Sequence, residues 1–412
     1  MAISESLFGD PEDRGEAPPR TLPARPAPDI VEQLAQAIGD LYIVQDSQQL
    51  GRVMVNRPTT AVVFRGRLLQ DAEHAYPVIT ERLKPMGFTP MMERRGETDI
   101  LIALEGVIRT RTVSSPVWLH VLLLVITIIT TTLSGAQFQG YRVDIVLNEI
   151  FQRGNLSYIW TTIQAGAPFA FTLLLILGVH EMGHYLAARR HGVDVTLPYF
   201  IPFPLIGILG TLGAVIFIKS PLTNRKQLFD VGISGPLAGF VVALVAFIIG
   251  LFLTPSDRPN MAFFMAFGNE RLGMPLLLQG LGDVLRPDIM NLSRFVARQP
   301  VALAAWFGML LTVLNLLPIG QLDGGHVMYT LFGRAAWTIA LVVFSVMLFL
   351  GLSGIFPSLI FFALLALLTG LRHPPPGNDI TPLDPRRKAI GYATIVLFFL
   401  IGTATPFVIG PR

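Results

Sequence analysis

Two histidines and a glutamate stand close together in the second apolar stretch of the chain, in the run His180-Glu181-Met182-Gly183-His184. On an α-helix, side chains four residues apart lie on one face, so the two imidazoles would face a common point. This arrangement is a ligand pair for zinc, and the adjacent glutamate can take a proton from a water at the metal. Ionisable residues cost about 2.5–3.5 kcal/mol each in an apolar span, which favours a functional role over packing.

A third ligand is predicted in a later segment of the chain. A catalytic zinc site has three protein ligands and one open position. Because the 412-residue chain contains no cysteine, the ligand must be His, Asp or Glu. Asp323 follows an apolar stretch, among residues loosened by Pro318, Gly320, Gly324 and Gly325. We therefore predict that His180, His184 and Asp323 hold one zinc ion per chain.

The composition predicts that this site lies inside a membrane protein. Hydrophobic residues make up 52% of the chain and charged residues only 14%, whereas soluble domains carry about 25% charged residues. A membrane-spanning helix needs about 20 apolar residues. Seven spans are predicted, at residues 116–133, 168–188, 231–254, 301–317, 335–350, 355–371 and 389–409.

One further apolar stretch, residues 195–218, is predicted to be a re-entrant hairpin. Its proline and glycine content disfavours a helix. Basic residues flank it on both sides, so the positive-inside rule places both ends on the cytoplasmic face. With this assignment the second and fourth spans run in the same direction, which brings His184 and Asp323 to a similar depth. If the stretch crossed the membrane instead, the two residues could not share an ion.

The predicted fold is mainly α: a polytopic helix bundle of about seven spans plus the re-entrant hairpin, with a small N-terminal α+β soluble domain. Residues 1–28 are predicted to be a disordered tail because they are rich in proline and acids. Residues 29–112 form the soluble domain, with helices predicted at 29–38 and 68–86 and strands at 60–64, 88–94 and 98–104. Residues 113–412 form the membrane domain.

These motifs resemble those of the site-2 protease family, the intramembrane zinc metalloproteases. The matching residues are His180-Glu181-x-x-His184, the segment from Asn315 through Pro318 to Asp323-Gly324, and the Gly-Pro-Leu-Ala-Gly run at 235–239. The resemblance implies that His180, His184 and Asp323 bind zinc and that Glu181 is the general base. It also implies that Asn315 lies near the scissile carbonyl. Family members often have proline where this chain has Gly320, and no PDZ-like or CBS segment is evident.

The resemblance further implies a partner and a reaction: hydrolysis of peptide bonds in the transmembrane segment of a single-span membrane protein. The lipid bilayer is the other predicted partner. The net charge of only +3 does not indicate binding to nucleic acid. Acidic residues in the tail argue against a transit peptide. We therefore predict a multi-pass protein of the bacterial inner membrane with a cytoplasmic N-terminus.

Two other functions use the same residues. A membrane cation transporter could bind the metal at mid-depth, but it would not need Glu181 as a proton acceptor. An inactive protease-like scaffold is disfavoured because all ligands and the base are present. A different kind of membrane protease takes a distant glutamate as its third ligand. That alternative is disfavoured because no later span of this chain contains a matching glutamate. Of the remaining histidines, His191 is predicted at the basic surface, and His326 either supports Asp323 or faces water.

Overall fold

The computed structural model describes residues 29–54, 58–106, 116–142, 145–146, 148–149, 152–203, 209–255 and 271–408. The predicted disordered tail, residues 1–28, lies outside the described residues. The chain forms two compact units. The first contains Met1–Arg111, Ser220–Leu228 and Arg372–Asp384, and the second contains Thr112–Lys219, Phe229–Leu371 and Pro385–Arg412.

The first unit is built on an antiparallel sheet with the strand order β1-β2-β4-β3. Its elements are α1 (Asp29–Ile38), β1 (Tyr42–Met54), β2 (Pro58–Leu68), α2 (Ala72–Leu83), β3 (Phe88–Arg95) and β4 (Thr98–Glu105). Both faces of the sheet are apolar: Phe64 and Leu101 pack with residues of the two helices, while Val63 and Ile102 belong to a separate cluster. The small N-terminal α+β region predicted from the sequence is confirmed. Strand β1 had not been predicted.

Two segments from later in the chain extend this sheet beyond β3. Met92 of β3 pairs in parallel with Asn378, through the bonds Met92 N–H to Gly377 O (2.7 Å) and Asp379 N–H to Met92 O (2.9 Å). Asn378 in turn pairs in parallel with Asn224. These segments cover the edge of β3 that would otherwise be exposed. That edge is therefore not available for pairing with strands of other chains. The predicted division of the chain at residue 112 stays a prediction.

The second unit is mainly helical, as predicted. Its helices are α3 (Val117–Phe138), α4 (Ser157–Arg190), α5 (Arg225–Phe252, which begins in the first unit), α6 (Leu276–Leu285), α7 (Leu292–Arg298), α8 (Pro300–Asn315), α9 (Asp323–Phe332), α10 (Ala335–Leu352), α11 (Leu359–Thr369) and α12 (Pro385–Ile401). Strands β7 (Arg271–Leu272) and β8 (Phe407–Val408) pair with each other.

Four of the described helices are long and apolar enough to cross a membrane: α3, α4, α5 and α10. Helices α7 and α8 would together form a fifth span, but they meet at a bend of 106°. Helices α11 and α12 lie at two more of the predicted spans and have only 11 and 17 residues. The predicted total of seven spans is therefore not confirmed.

Helix α4 begins at Ser157, well before the start predicted at residue 168. Pro168 lies inside the helix, and the hydroxyl of Thr172 donates to its carbonyl at 2.7 Å. Proline lacks a backbone N–H, so the carbonyl of residue 164 loses its usual partner, and the Thr172 hydroxyl, which bonds a different carbonyl, does not replace it. The apolar helix nevertheless continues through the proline. The predicted start at Pro168 was therefore wrong, because the helix continues through this proline and does not begin at it.

Residues 195–218 form a β-hairpin in the residues that the structure describes. Strands β5 (Tyr199–Pro202) and β6 (Thr211–Val215) pair antiparallel, with Phe200 opposite Ala214. An isolated bridge joins Val195 to Ile218, so the segment begins and ends at neighbouring points. Residues 204–208 of the predicted loop lie outside the described residues. The extended, returning path is present, while its depth in a membrane stays a prediction.

Candidate metal centre

Helix α4 presents His180 and His184 on one buried face. Their ring centroids are 4.9 Å apart and both side chains are more than nine-tenths buried. The two residues are one helical turn apart, which is why a continuous helix through this sequence is enough to bring the rings together. Local sequence alone therefore predicts this half of the site.

Asp323 comes from the first residue of α9, after a tight turn that follows α8. Gly324 and Gly325 pack so closely on this turn that an added Cβ would stand 2.1 Å from Leu316 O or from Gly320 O, respectively. Gly320 itself has a φ of +57°, a conformation that favours glycine. The turn thus depends on glycines at these positions, and it directs the Asp323 carboxylate back towards the two histidines.

The three predicted ligands converge. His180 Nε2 and His184 Nε2 are 3.2 Å apart, and Asp323 Oδ2 lies 3.5 Å from the first and 3.3 Å from the second. A tetrahedral zinc with bonds of about 2.0–2.2 Å separates its ligand atoms by roughly 3.3–3.5 Å. The observed spacings of 3.2–3.5 Å are close to that requirement, so the donor set fits a zinc ion. It is also the one group of metal-ligating side chains found within the described residues.

A second helix, α5, supports the two histidines from behind. His184 Nδ1 lies 2.7 Å from the carbonyl oxygen of Val231. A Cβ added at Gly235 would meet His184 Nε2 at 2.1 Å, and one at Gly239 would meet the His180 ring at 3.1 Å. The glycines of the Gly-Pro-Leu-Ala-Gly run therefore leave the space that the imidazoles occupy. Neither Val231 nor this role of the glycines was predicted, although glycines spaced by four residues are a signal of close helix packing.

Glu181 is buried beside the histidines, and only 7% of its surface is exposed. Its carboxylate lies near the backbone N–H of Ile216, the residue that follows β6, and interacts with it electrostatically. The predicted general base and the end of the hairpin thus lie close together.

Asn315, the last residue of α8, is half-buried, and its Nδ2 atom lies 3.1 Å from His180 Nε2. This is the nitrogen that faces the other donors, so the amide stands at the rim of the site. The Cβ of His326 lies 2.7 Å from where a Cβ on Gly232 would be, so this histidine packs against α5. His191 is only partly exposed and contacts Asp230.

Comparison with known proteins identifies the domain that contains this site. Residues 168–353 match the family described as Peptidase family M50. This part of the chain is therefore similar to the M50 peptidases. This confirms the predicted resemblance to the site-2 proteases, and the matched range includes all three metal-facing residues and Glu181.

Curated relatives of the M50 domain are probable zinc metalloproteases of plants. The chain is 33% identical over 244 residues to "Probable zinc metalloprotease EGY2, chloroplastic" of Arabidopsis thaliana. The match covers 59% of this chain and 42% of the relative. It is 34% identical over 257 residues to "Probable zinc metalloprotease EGY1, chloroplastic", covering 60% and 44%. The chain thus spans well under half the length of these relatives. No solved structure matches it.

Proposed function

We propose that this protein is an intramembrane zinc metalloprotease, which hydrolyses peptide bonds in the transmembrane segments of membrane-protein substrates. One observation carries the proposal: His180, His184 and Asp323 converge at zinc-ligand spacing beside the carboxylate of Glu181, on a helix apolar enough to cross a membrane. The zinc metalloprotease relatives support the same chemistry. One zinc ion per chain is expected because one such donor set is described.

The residues of the site have distinct roles in this proposal. When bound, zinc activates water and polarises the scissile carbonyl. Glu181 accepts the proton of the attacking water and passes it to the leaving amine, which is general acid–base catalysis by a single carboxylate. The Asn315 amide, at the rim beside His180, donates a hydrogen bond to the carbonyl oxygen as negative charge develops there. Burial keeps bulk water away from these groups and strengthens each interaction.

Substrate binding is assigned to the hairpin. A helical substrate hides its carbonyl groups in hydrogen bonds within the helix, so it must unwind before it is cut. The outer edge of β6 would replace those bonds by pairing with the unwound segment, as in β-augmentation. The proximity of Ile216 N–H to Glu181 supports this assignment, because a peptide paired along β6 runs towards the base. Single-span proteins are the proposed substrates because a lone helix can leave the lipid sideways.

The proposed topology has seven spans, with the hairpin entering from the cytoplasmic face of a bacterial inner membrane. Basic residues near span ends, such as Arg189, Arg190 and Arg386, support a cytoplasmic location for these ends and for the N-terminus. The plant relatives carry chloroplast names, so a chloroplast membrane is the other setting to test. Reporter fusions after residue 29 and after residue 372 should both report the cytoplasmic side.

The test compares cells that carry wild-type protein with cells that carry Glu181→Gln. Glutamine keeps the size of the side chain but cannot accept the proton of water, so we expect zinc to stay bound and cleavage to fall by about 10²–10⁴-fold. Proteomics of membrane-retained fragments then identifies substrates as single-span proteins that accumulate uncut only in the variant. Undiminished cleavage in Glu181→Gln contradicts the proposal. Metal-dependent ion flux that survives the substitution would instead identify a cation transporter.

A further inference from the structure

A cluster of three charged or ionisable side chains joins three helices next to the metal centre. Asp230 of α5 receives two hydrogen bonds from Arg387 of α12, Nε to Oδ1 at 2.7 Å and Nη2 to Oδ2 at 2.6 Å. His191, which directly follows α4, places its Nε2 at 2.9 Å from Asp230 Oδ2. About a quarter to a third of each side chain is exposed, so the cluster is partly withdrawn from water. Asp230 therefore fixes the start of α5 to both neighbouring helices.

The residue after Asp230 touches the metal centre. The carbonyl oxygen of Val231 lies 2.7 Å from Nδ1 of His184. A carbonyl can only accept, so Nδ1 must carry the proton, and the lone pair of the ring is on Nε2, the atom that faces His180 and Asp323. Groups that hold the second nitrogen of a ligand histidine set both its tautomer and its orientation.

We propose that Asp230 is a positioning residue for the metal ligand His184, which it orients by fixing the Val231 carbonyl through the ion pair with Arg387. This inference rests on the proposed metal site. Asp230 touches neither metal nor substrate; it acts through the main chain of α5.

The close packing of α5 on the histidines makes the site sensitive to the position of this helix. The position of a Cβ on Gly235 is only 2.1 Å from His184 Nε2, and that of one on Gly239 is 3.1 Å from the His180 ring. Less than the space of a methyl group separates the helix from the rings. A small rotation or slide of α5 would therefore lengthen the bond to Val231 or push the His184 ring out of line with the other two donors.

The chain offers a matched control on the same helix. Arg225, the first residue of α5, forms an ion pair with Asp379 with the same atoms and distance, Nε to Oδ1 at 2.7 Å. It stands six residues before Val231 and donates to a segment of the first unit. Asp379→Asn thus removes an ion pair of similar geometry from the helix without loosening Asp230.

The experiment uses full-length protein in detergent or nanodiscs. Zinc affinity is measured by competition with a chelating dye, the metal geometry by the visible spectrum of the Co²⁺ form, and the fold by thermal unfolding. We expect Asp230→Asn to weaken zinc binding about tenfold, because groups that orient a metal ligand typically contribute at least this much to affinity, and to change the Co²⁺ spectrum. Asp230→Glu should restore most of the affinity. Asp379→Asn should lower the Tm about as much as Asp230→Asn does. It should leave the zinc affinity within twofold of wild type and the Co²⁺ spectrum unchanged.

Arg387→Gln removes the two hydrogen bonds that Arg387 donates to the Asp230 carboxylate. This variant provides a second test if Asp230→Asn does not fold. It should weaken zinc binding in the same direction. The inference is overturned if both variants, while folded, bind zinc as tightly as Asp379→Asn and have the wild-type Co²⁺ spectrum. Wild-type protein that binds no metal would overturn the proposed function itself, and this inference with it.

Discussion

Nδ1 of His184 and the main-chain carbonyl oxygen of Val231 are 2.7 Å apart. This contact links α4, which carries two of the metal-facing side chains, to α5, which carries none. It places the free lone pair of His184 on Nε2, the atom 3.3 Å from Asp323 Oδ2. A hydrogen bond within the protein therefore selects the tautomer of His184 that the proposed metal site requires.

Removal of Asp323, the predicted third ligand, should abolish metal binding. In Asp323→Ala the site keeps two imidazoles only, so we expect loss of bound zinc and of proteolysis. Asp288→Ala is the control, because Asp288 pairs with Arg286 in an exposed position away from the site. Elemental analysis of purified proteins checks the prediction. One zinc per chain in Asp323→Ala would show that the carboxylate is not a ligand.

A methyl group at Gly235 should disturb the site without altering any ligand. The new Cβ would stand 2.1 Å from His184 Nε2, so either the ring or α5 must move. We expect Gly235→Ala to bind zinc at least about tenfold more weakly and to lose most activity. Gly280→Ala in α6 is the control, since nothing lies within 4 Å of its Cβ position. Equal zinc affinity in the two variants would contradict the packing described for α5.

The hairpin should affect long substrates through its strand β6. Thr211 donates its hydroxyl to Ile201 O at 2.9 Å and accepts from Gly213 N–H at 3.0 Å. Thr211→Pro removes a backbone donor and distorts the strand, so we expect slower cleavage of a full-length membrane substrate with zinc still bound. Thr211→Val removes only the hydroxyl bonds and should have a smaller effect. Kinetics on reconstituted substrate distinguish them, and unchanged rates in Thr211→Pro would count against substrate pairing at β6.

The turn before Asp323 should not accept a side chain at Gly320. This residue has a φ of +57°, and a Cβ on it would meet Gly370 O at 1.7 Å. Gly354 also has a positive φ, +78°, but nothing lies near its Cβ position. We expect Gly354→Ala to cost about 1–2 kcal/mol of stability, from the backbone conformation alone.

Gly320→Ala should cost clearly more than Gly354→Ala, because steric overlap adds to the backbone strain. Gly320→Pro should be worse again, since proline requires a φ near −65°. Thermal unfolding in one detergent compares the variants. Similar Tm values for Gly320→Ala and Gly354→Ala would mean that the turn can rearrange. The proline common at this position in site-2 proteases thus requires a different local backbone from the one described.

Patterns within one helix or strand were predictable from the sequence. The spacing of His180 and His184 determines their shared face wherever the helix is placed, and the β-branched run in β2 and the extended apolar stretch of β4 made those strands recognisable. Strand β1 was not predicted because the polar run 45–49 shows no apolar alternation. Its outer residues are exposed and the strand is held by backbone bonds to β2, which do not depend on residue type.

Only the tertiary structure decided which distant groups meet. Apolar periodicity tells which face of a helix is buried but not which helix covers it, so the pairing of Val231 with His184 and of Asp230 with Arg387 had no signal in the sequence. The same holds for Asn378, whose segment extends the sheet of the first unit through main-chain bonds. The absence of cysteine and the presence of few intramembrane acids had already limited the third ligand to very few candidates. That Asp323 reaches the two imidazoles, however, depends on the glycine turn and on the packing of the whole bundle.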